Sequence, residues 1–388
     1  MGNLDKLKEI KDALNNKFIE RDKEIEAILI ALLSRQHMLM IGPAGTGKSA
    51  LSAELSNIID GSSYFQWLLT KFSTPEELFG PLSLKELENG VYKRNVKSKM
   101  PEAHIVFLDE IFKANSAILN SLLTLINERL FYNNSQPVSS PLMTVVGSSN
   151  EYPEEDEGLE ALFDRFLLRF EIDYIGDESN FISMLKGQGQ NQTMPSMTLK
   201  ELENLQFLCD MVMIPDEVYE ALSAMRIDLK DQAIHPSDRR FKQSLSILQA
   251  KALTEQRQEV KLKDLLVLEH TLWENVDQKV KVSEIVQNRA LDVVSKKILE
   301  VETDVDSVMA AMDDPNQDKT EIVLEANKKI QTMLKELKEL KTSHPSRSEI
   351  DVTISKIQGK QREISEFILD PIEQPNGEGE ILKNGMPF

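Results

Sequence analysis

His37-Met38-Leu39-Met40-Ile41-Gly42-Pro43-Ala44-Gly45-Thr46-Gly47-Lys48-Ser49 is the stretch whose reading decides the fold. The apolar run up to Ile41 predicts a short buried strand, and Gly42-Pro43 stops it. From Lys48 the apolar residues return at helical spacing, through Leu51, Leu55 and Ile58, until Gly61. The connecting turn fits G-x-x-x-x-G-K-[ST] at every position. Glycines let successive backbone N–H groups converge on phosphate oxygens at a helix N-terminus. Gly42, Pro43, Ala44, Gly45, Thr46, Gly47, Lys48 and Ser49 are therefore expected to hold a nucleotide, ATP. Lys48 would reach the β and γ phosphates and the Ser49 hydroxyl would ligate Mg²⁺.

Working outward, short apolar runs at Tyr64 to Leu69, Ile105 to Leu108 and Met143 to Gly147 predict further strands, with a helix from about Asn115 to Arg129. Strands alternating with helices imply crossover connections, hence an α/β class with a parallel sheet between helices. Before the loop, Leu4, Leu7, Ile10 and Leu14, then Ile25, Ile28, Leu29 and Leu32, predict two helices. Two segments break the rhythm: Gly80 to Lys97, read as hairpin-like, and Phe131 to Pro141, rich in Asn, Ser and Pro. A Gly, Gln and Asn stretch from Lys186 to Ser196 marks a boundary, after which every apolar pattern is helical. From about Val282 the pattern narrows to coiled-coil-like seams, three helices broken at Asp313-Asp314-Pro315 and Ser343-His344-Pro345. The expected division is a core at 1–185, an all-helical lid at 186–280, a helical extension at 281–370 and a flexible tail at 371–388.

Ile105-Val106-Phe107-Leu108-Asp109-Glu110 ends an apolar strand with two carboxylates. That order suits Asp109 to bind Mg²⁺ and Glu110 to polarise an attacking water. A phosphotransferase gains nothing obvious from the second carboxylate, so Glu110 favours ATP hydrolysis.

A series of motifs in order then carries a resemblance: Phe18-Ile19-Glu20-Arg21, the phosphate loop, Leu69 to Pro81 (LTKFSTPEELFGP), Asp109 to Asn115 (DEIFKAN), Leu119 to Leu123 and Asn127-Glu128-Arg129. Over roughly residues 1 to 280 the chain resembles the MoxR family of AAA+ ATPases, closest to its RavA-like branch. The resemblance implies a ring, usually a hexamer, with nucleotide between subunits and a helical lid after the core. It also implies adenine contacts from Ile19 and Arg21, and Asn150 as the asparagine that orients the water. Arg165 would be an arginine finger entering the adjacent subunit, with Arg169 as its rival. Arg239 would be the lid's phosphate sensor, with Arg240 as the alternative. Both insertions would face the ring pore, and the partner would be a protein to be remodelled, one with a von Willebrand factor A domain.

Lys+Arg 45 against Asp+Glu 64 leaves a net charge of −19, which opposes bulk binding of nucleic acid. Lys93, Arg94, Lys97 and Lys99 nevertheless cluster at the first insertion. They keep a nucleic-acid motor or nucleotide-gated scaffold as the alternative. The longest purely apolar run, Ala27 to Leu33, falls short of the ~20 residues of a membrane span. The N-terminus shows neither a signal core nor a myristoylation pattern, so a cytoplasmic location is expected. Cys209 is the sole cysteine, and the five histidines are scattered, which excludes an internal disulfide and a cysteine metal cluster.

Overall fold

The computed structural model describes residues 2–153, 159–187, 193–312 and 319–369. They form two compact units, the first running to Leu291 and the second starting at Asp292.

The first unit is built on a five-stranded, all-parallel sheet: β1 (Met38–Ile41), β2 (Tyr64–Leu68), β3 (Ile105–Asp109), β4 (Thr144–Ser149) and β5 (Leu168–Glu171), in the order β2-β3-β4-β1-β5. Every residue of β1 and β4 is buried, as strands covered on both faces require; β1 is apolar throughout, while β4 also buries Thr144, Ser148 and Ser149. Met38 stands between Val146 and Leu168, so all the C-terminal strand ends fall along one edge. That edge carries Gly42 after β1, Glu110 after β3 and Asn150 after β4, and it is where open α/β sheets bind ligands.

The Lys48–Ile58 helix begins directly at the loop, its N-cap Gly47 being left-handed. The Ser116–Glu128 helix is capped by the Asn115 side chain, which accepts from Ala117 and Ile118 N–H, and buries Ile118, Leu122, Leu125 and Ile126. The Asp22–Ser34 helix is buried nearly all round, because Leu199–Asp210 and Asp238–Thr254 pack on it from the C-terminal side. Lid-side and sheet-side residues thus share one continuous core.

The second insertion is a two-stranded hairpin, Leu130–Asn133 against Gln136–Ser139, turned by Asn134 and Ser135 at φ 54° and 60°. The first is not a hairpin of strands. A single antiparallel bridge, Leu82 to Arg94, closes it, and the Leu84–Glu88 helix lies inside, capped by the Ser83 hydroxyl. The seam expected from about Val282 starts later: Val282, Val286 and Ala290 lie on Lys279–Ala290 and are buried in the first unit's core. The second unit comprises Val293–Met312, Lys319–Ser343 and Ser348–Leu369 around Val301, Ile330, Leu337, Ile350 and Ile357. The expected break at 313–315 and the tail at 371–388 lie outside the described residues.

Candidate active site

The phosphate loop needs its glycines for two different reasons. At Gly42 a Cβ would stand 1.8 Å from the Ile172 carbonyl oxygen, so the backbone just after β5 excludes any side chain there. Gly45 and Gly47 have open space but φ of 85° and 87°, a conformation other residues adopt at a cost. From below, the buried Arg21 guanidinium donates to the Thr46 carbonyl from Nε and Nη2 (both 3.3 Å), to the Asp173 carbonyl (2.6 Å) and to the Glu20 carbonyl (2.7 Å). Arg21 therefore braces the loop. Beside it the Glu20 carboxylate accepts from Gly176 N (2.8 Å), Asp177 N (3.1 Å) and Asn180 Nδ2 (2.9 Å). Burial works against the charge on Glu20, but these bonds hold its carboxyl below the ordinary range. Ile19, half-buried, lies on the same segment.

Lys48 is buried, and its ammonium rests on neutral groups: the Gly42 and Pro43 carbonyls (2.5 and 2.8 Å) and Asn150 Oδ1 (3.3 Å). Burial lowers its pKa, opposed by the charges of Asp109 and Glu110. A buried cation on carbonyls, beneath a loop of inward-turned glycines, fits a polyphosphate. Ser49, half-exposed, follows in the first helical turn.

Across from the loop, Asp109 accepts from the Ser148 hydroxyl of the neighbouring strand and from Glu110 N–H (3.1 Å). Glu110 is left-handed at φ 53°, an uncommon state for this residue, and the turn sends its carboxylate back over the strand ends. There Oε1 accepts from Asn150 Nδ2, and Lys113 Nζ lies 3.3 Å from Oε2. Lys48, Asn150 and Glu110 thus form one polar line across the ends of β1, β4 and β3. Asp109 and Ser49 are the pair available for Mg²⁺, an ion commonly held by one or two protein groups together with phosphate oxygens. Among the described residues no cluster of three or more His, Cys, Asp or Glu side chains could bind a metal without a ligand's help.

The arginines lie elsewhere. Arg165 ends the Glu160–Arg165 helix just before β5, at the edge where β1 begins, and a four-residue strand separates that edge from the loop by about 13 Å. Arg165 Nη1 donates to Asp164 Oδ2 (3.1 Å), and Arg239, half-exposed on the lid-side helix, donates to the same oxygen. Arg240 is 2% exposed and donates to Asp164 Oδ1 (2.6 Å) and the Thr271 carbonyl (2.6 Å). Arg169, 1% exposed, donates to the Phe166, Phe163 and Trp273 carbonyls and lies 3.9 Å above the Phe163 ring. Arg169 and Arg240 are enclosed, Arg165 keeps 20% of its side chain exposed with its Nε buried, and Arg239 is the most open at 44%. In the basic cluster, Arg94 is paired with Glu76 (2.9 Å), and Lys99 donates to the Glu77 carbonyl (2.9 Å) and lies over Trp67.

Sequence reasoning missed Ser148 and Asp164. Ser148 stands beside Asp109 because Gly147 is the register partner of Leu108, a pairing set by strand order rather than by local sequence. Asp164 had no signal beyond lying beside Arg165.

A family profile described as the MoxR domain in MoxR–vWA–β-propeller ternary systems matches residues 5–210, and an AAA lid profile matches residues 217–286. An uncharacterised protein of Methanocaldococcus jannaschii is 38% identical over 282 residues, 72% of this chain and 73% of that one. The chaperone MoxR1 of Mycobacterium tuberculosis is 25% identical over 166 residues, 41% of this chain and 42% of that one. The crystal structure of an inferred ATPase from Cytophaga hutchinsonii superposes with a TM-score of 0.60 at 16% identity, covering 74% of this chain and 94% of that one, a likeness of fold.

Proposed function

The chain belongs to the MoxR family of AAA+ ATPases, and from that premise we propose that it hydrolyses ATP with Mg²⁺ as part of a ring, a hexamer, that remodels a protein partner. The observation that carries this reading is the line from Lys48 through Asn150 to Glu110. One end of it suits a phosphate and the other holds a carboxylate that can orient and accept a proton from water. Lys48 would leave its loop carbonyls for the γ-phosphate. Asn150, released from Lys48, would hold the water against Glu110. When bound between Ser49, Asp109 and the phosphates, Mg²⁺ would neutralise charge developing on the leaving group.

Arg165 and Arg239 both pair with Asp164 rather than with this chain's own loop, and so share one carboxylate. We assign both to the site of the adjacent subunit, which is the reason the reading requires a ring. Arg240 shares Asp164 with these two, and Arg169 lies over Phe163, the residue before that aspartate.

The partner is taken to carry a von Willebrand factor A domain, because the matching family is described by systems that combine MoxR with vWA and β-propeller components. The division into a core at 1–185, a lid at 186–280 and an extension beyond is part of the same proposal. No helix among the described residues is long and apolar enough to cross a membrane, which suits a cytoplasmic ring.

The test is steady-state ATPase activity. Lys48→Ala should weaken ATP binding and cut turnover on the order of a hundredfold. Glu110→Gln should cut turnover as much while still binding ATP, because binding does not use that carboxylate. Wild-type turnover in both variants would sink the assignment.

A further inference from the structure

Two residues after Glu110 comes Phe112, and two residues after Asn150 comes Tyr152. Phe112 leans on Phe163 (ring centroids 6.0 Å), and Phe163 on Trp273 (5.9 Å). Tyr152 meets Trp273 directly, edge to face at 6.4 Å. Both residues expected to feel the γ-phosphate are therefore joined through aromatic rings to one buried indole. Trp273 is equally tied to the arginines. Its carbonyl accepts from Arg169, whose guanidinium lies 5.2 Å from the indole, and Thr271 two residues earlier accepts from Arg240. Phe163, Asp164 and Arg165 are consecutive, so the ring that touches Trp273 also sets the carboxylate that gathers Arg165 and Arg239.

Six buried side-chain nitrogens or oxygens lack a hydrogen-bond partner among the described residues, and three of them, Trp273 Nε1, Arg165 Nε and Arg240 Nε, belong to this cluster. A packed cluster with three unmatched donors is one for which a second arrangement has something to gain. Such a second arrangement is what coupling between separated sites would use.

We propose that Trp273 is a positioning residue that transmits the state of this subunit's own Glu110 and Asn150 to the Arg165 and Arg239 it presents to its neighbour. The proposal rests on the reading of the site given above. It makes each subunit's arginines competent as donors only while its own site holds ATP, the state that Glu110→Gln keeps, which orders firing around the ring.

The test uses the full chain. Trp273→Phe should bind ATP with unchanged affinity yet turn over about tenfold more slowly or worse as a uniform ring. Mixed one to one with Glu110→Gln, whose own site is dead but whose arginines are intact, it should recover, because in random rings about a quarter of interfaces pair a Glu110→Gln donor with a Trp273→Phe site. Mixed with Arg165→Ala it should not recover, since both are then poor donors. The two mixtures place the defect on the donor side, and the emission of Trp273 separates transmission from static placement. Phe163→Leu, which leaves the indole in place, should show the same pattern. Because the chain has two tryptophans, a Trp67→Phe background isolates the emission of Trp273, which should change on ATP addition and stop changing when Lys48→Ala is added. Near-normal turnover of Trp273→Phe, recovery with Arg165→Ala, no recovery with Glu110→Gln, or silent Trp273 emission in a chain that hydrolyses ATP would each overturn the coupling alone. A chain that binds no ATP would overturn the site and the coupling together.

Discussion

Asp164 offers two carboxylate oxygens to three guanidinium groups, those of Arg165, Arg239 and the buried Arg240. Burial alone would raise its pKa, but the bonds and charges of the arginines outweigh it and hold the carboxyl below the ordinary range. Asp164→Asn leaves Arg240 enclosed without a counter-charge, and should cost roughly 2 to 4 kcal/mol of stability, read as a lower urea midpoint. The same variant should slow ATP turnover, since Arg165 and Arg239 lose their common anchor. His37 behaves in the opposite electrostatic sense. It is buried, Nδ1 accepts from Val145 N–H (2.9 Å) and Nε2 faces the Ile126 carbonyl (3.0 Å), a pattern only the neutral ring satisfies. Burial, then the charge of Arg129, pulls its pKa down to about 3. The unfolded chain, with a pKa of about 6.5, takes up the proton first. The stability His37 contributes is thus complete above pH ~6.5 and lost as pH falls toward 3, about 2 kcal/mol between pH 6.5 and 5. Urea midpoints measured against pH should show that fall, and His37→Asn should flatten it.

At the scale of elements, the two insertions are sewn together by adjacent asparagines. Asn133 accepts from Arg94 N–H (2.7 Å) and donates to the Arg94 carbonyl (3.1 Å), and Asn134 accepts from Tyr92 N–H (3.1 Å). Asn133→Ala removes both bonds to Arg94 and should open the 82–94 segment to limited proteolysis severalfold faster, with ATP binding unchanged. Protection equal to wild type would show that the Leu82–Arg94 bridge suffices. These elements also mark where the sequence could be read and where it could not. The phosphate loop and the Asp109-Glu110 pair were legible, because each needs a local pattern: glycines where no Cβ fits, carboxylates where a buried strand ends. The Asn134-Ser135 hairpin was legible from its turn residues. The Leu84–Glu88 helix was not, since five residues show no period and Asn89-Gly90 mimics a hairpin tip. The choice between Arg165 and Arg169, or Arg239 and Arg240, was out of reach for another reason. Each pair has the same charge a few residues apart, and only packing against Trp273 and Thr271, over thirty residues away or more, decides which guanidinium is enclosed.

For the whole molecule, the proposed assignment of Arg165 and Arg239 to the adjacent subunit would make activity a property of an assembly. Arg165→Ala should assemble and bind ATP but hydrolyse about a hundredfold less. Mixing it with Glu110→Gln should restore part of the turnover, because some interfaces then join an intact Glu110 to an intact Arg165. Lack of recovery in a mixed ring would place Arg165 in its own subunit's site. The net charge of −19 suits the proposed protein partner better than nucleic acid.

The strand order has one more consequence, for how the chain is made. β1 is fully buried, yet it hydrogen-bonds to β4 and β5, whose partners for Met38 are Val146 and Leu168. A ribosome adding 5–20 residues per second therefore leaves the apolar run Met38 to Ile41 without its strand neighbours for roughly 10 s, until residue 171 has emerged. During that interval the nascent phosphate loop has no floor and cannot close on nucleotide. On the proposed function, the first binding of ATP would wait for the Glu160–Arg165 helix and β5, so a subunit would gain its own nucleotide only after it has built the arginine assigned to its neighbour.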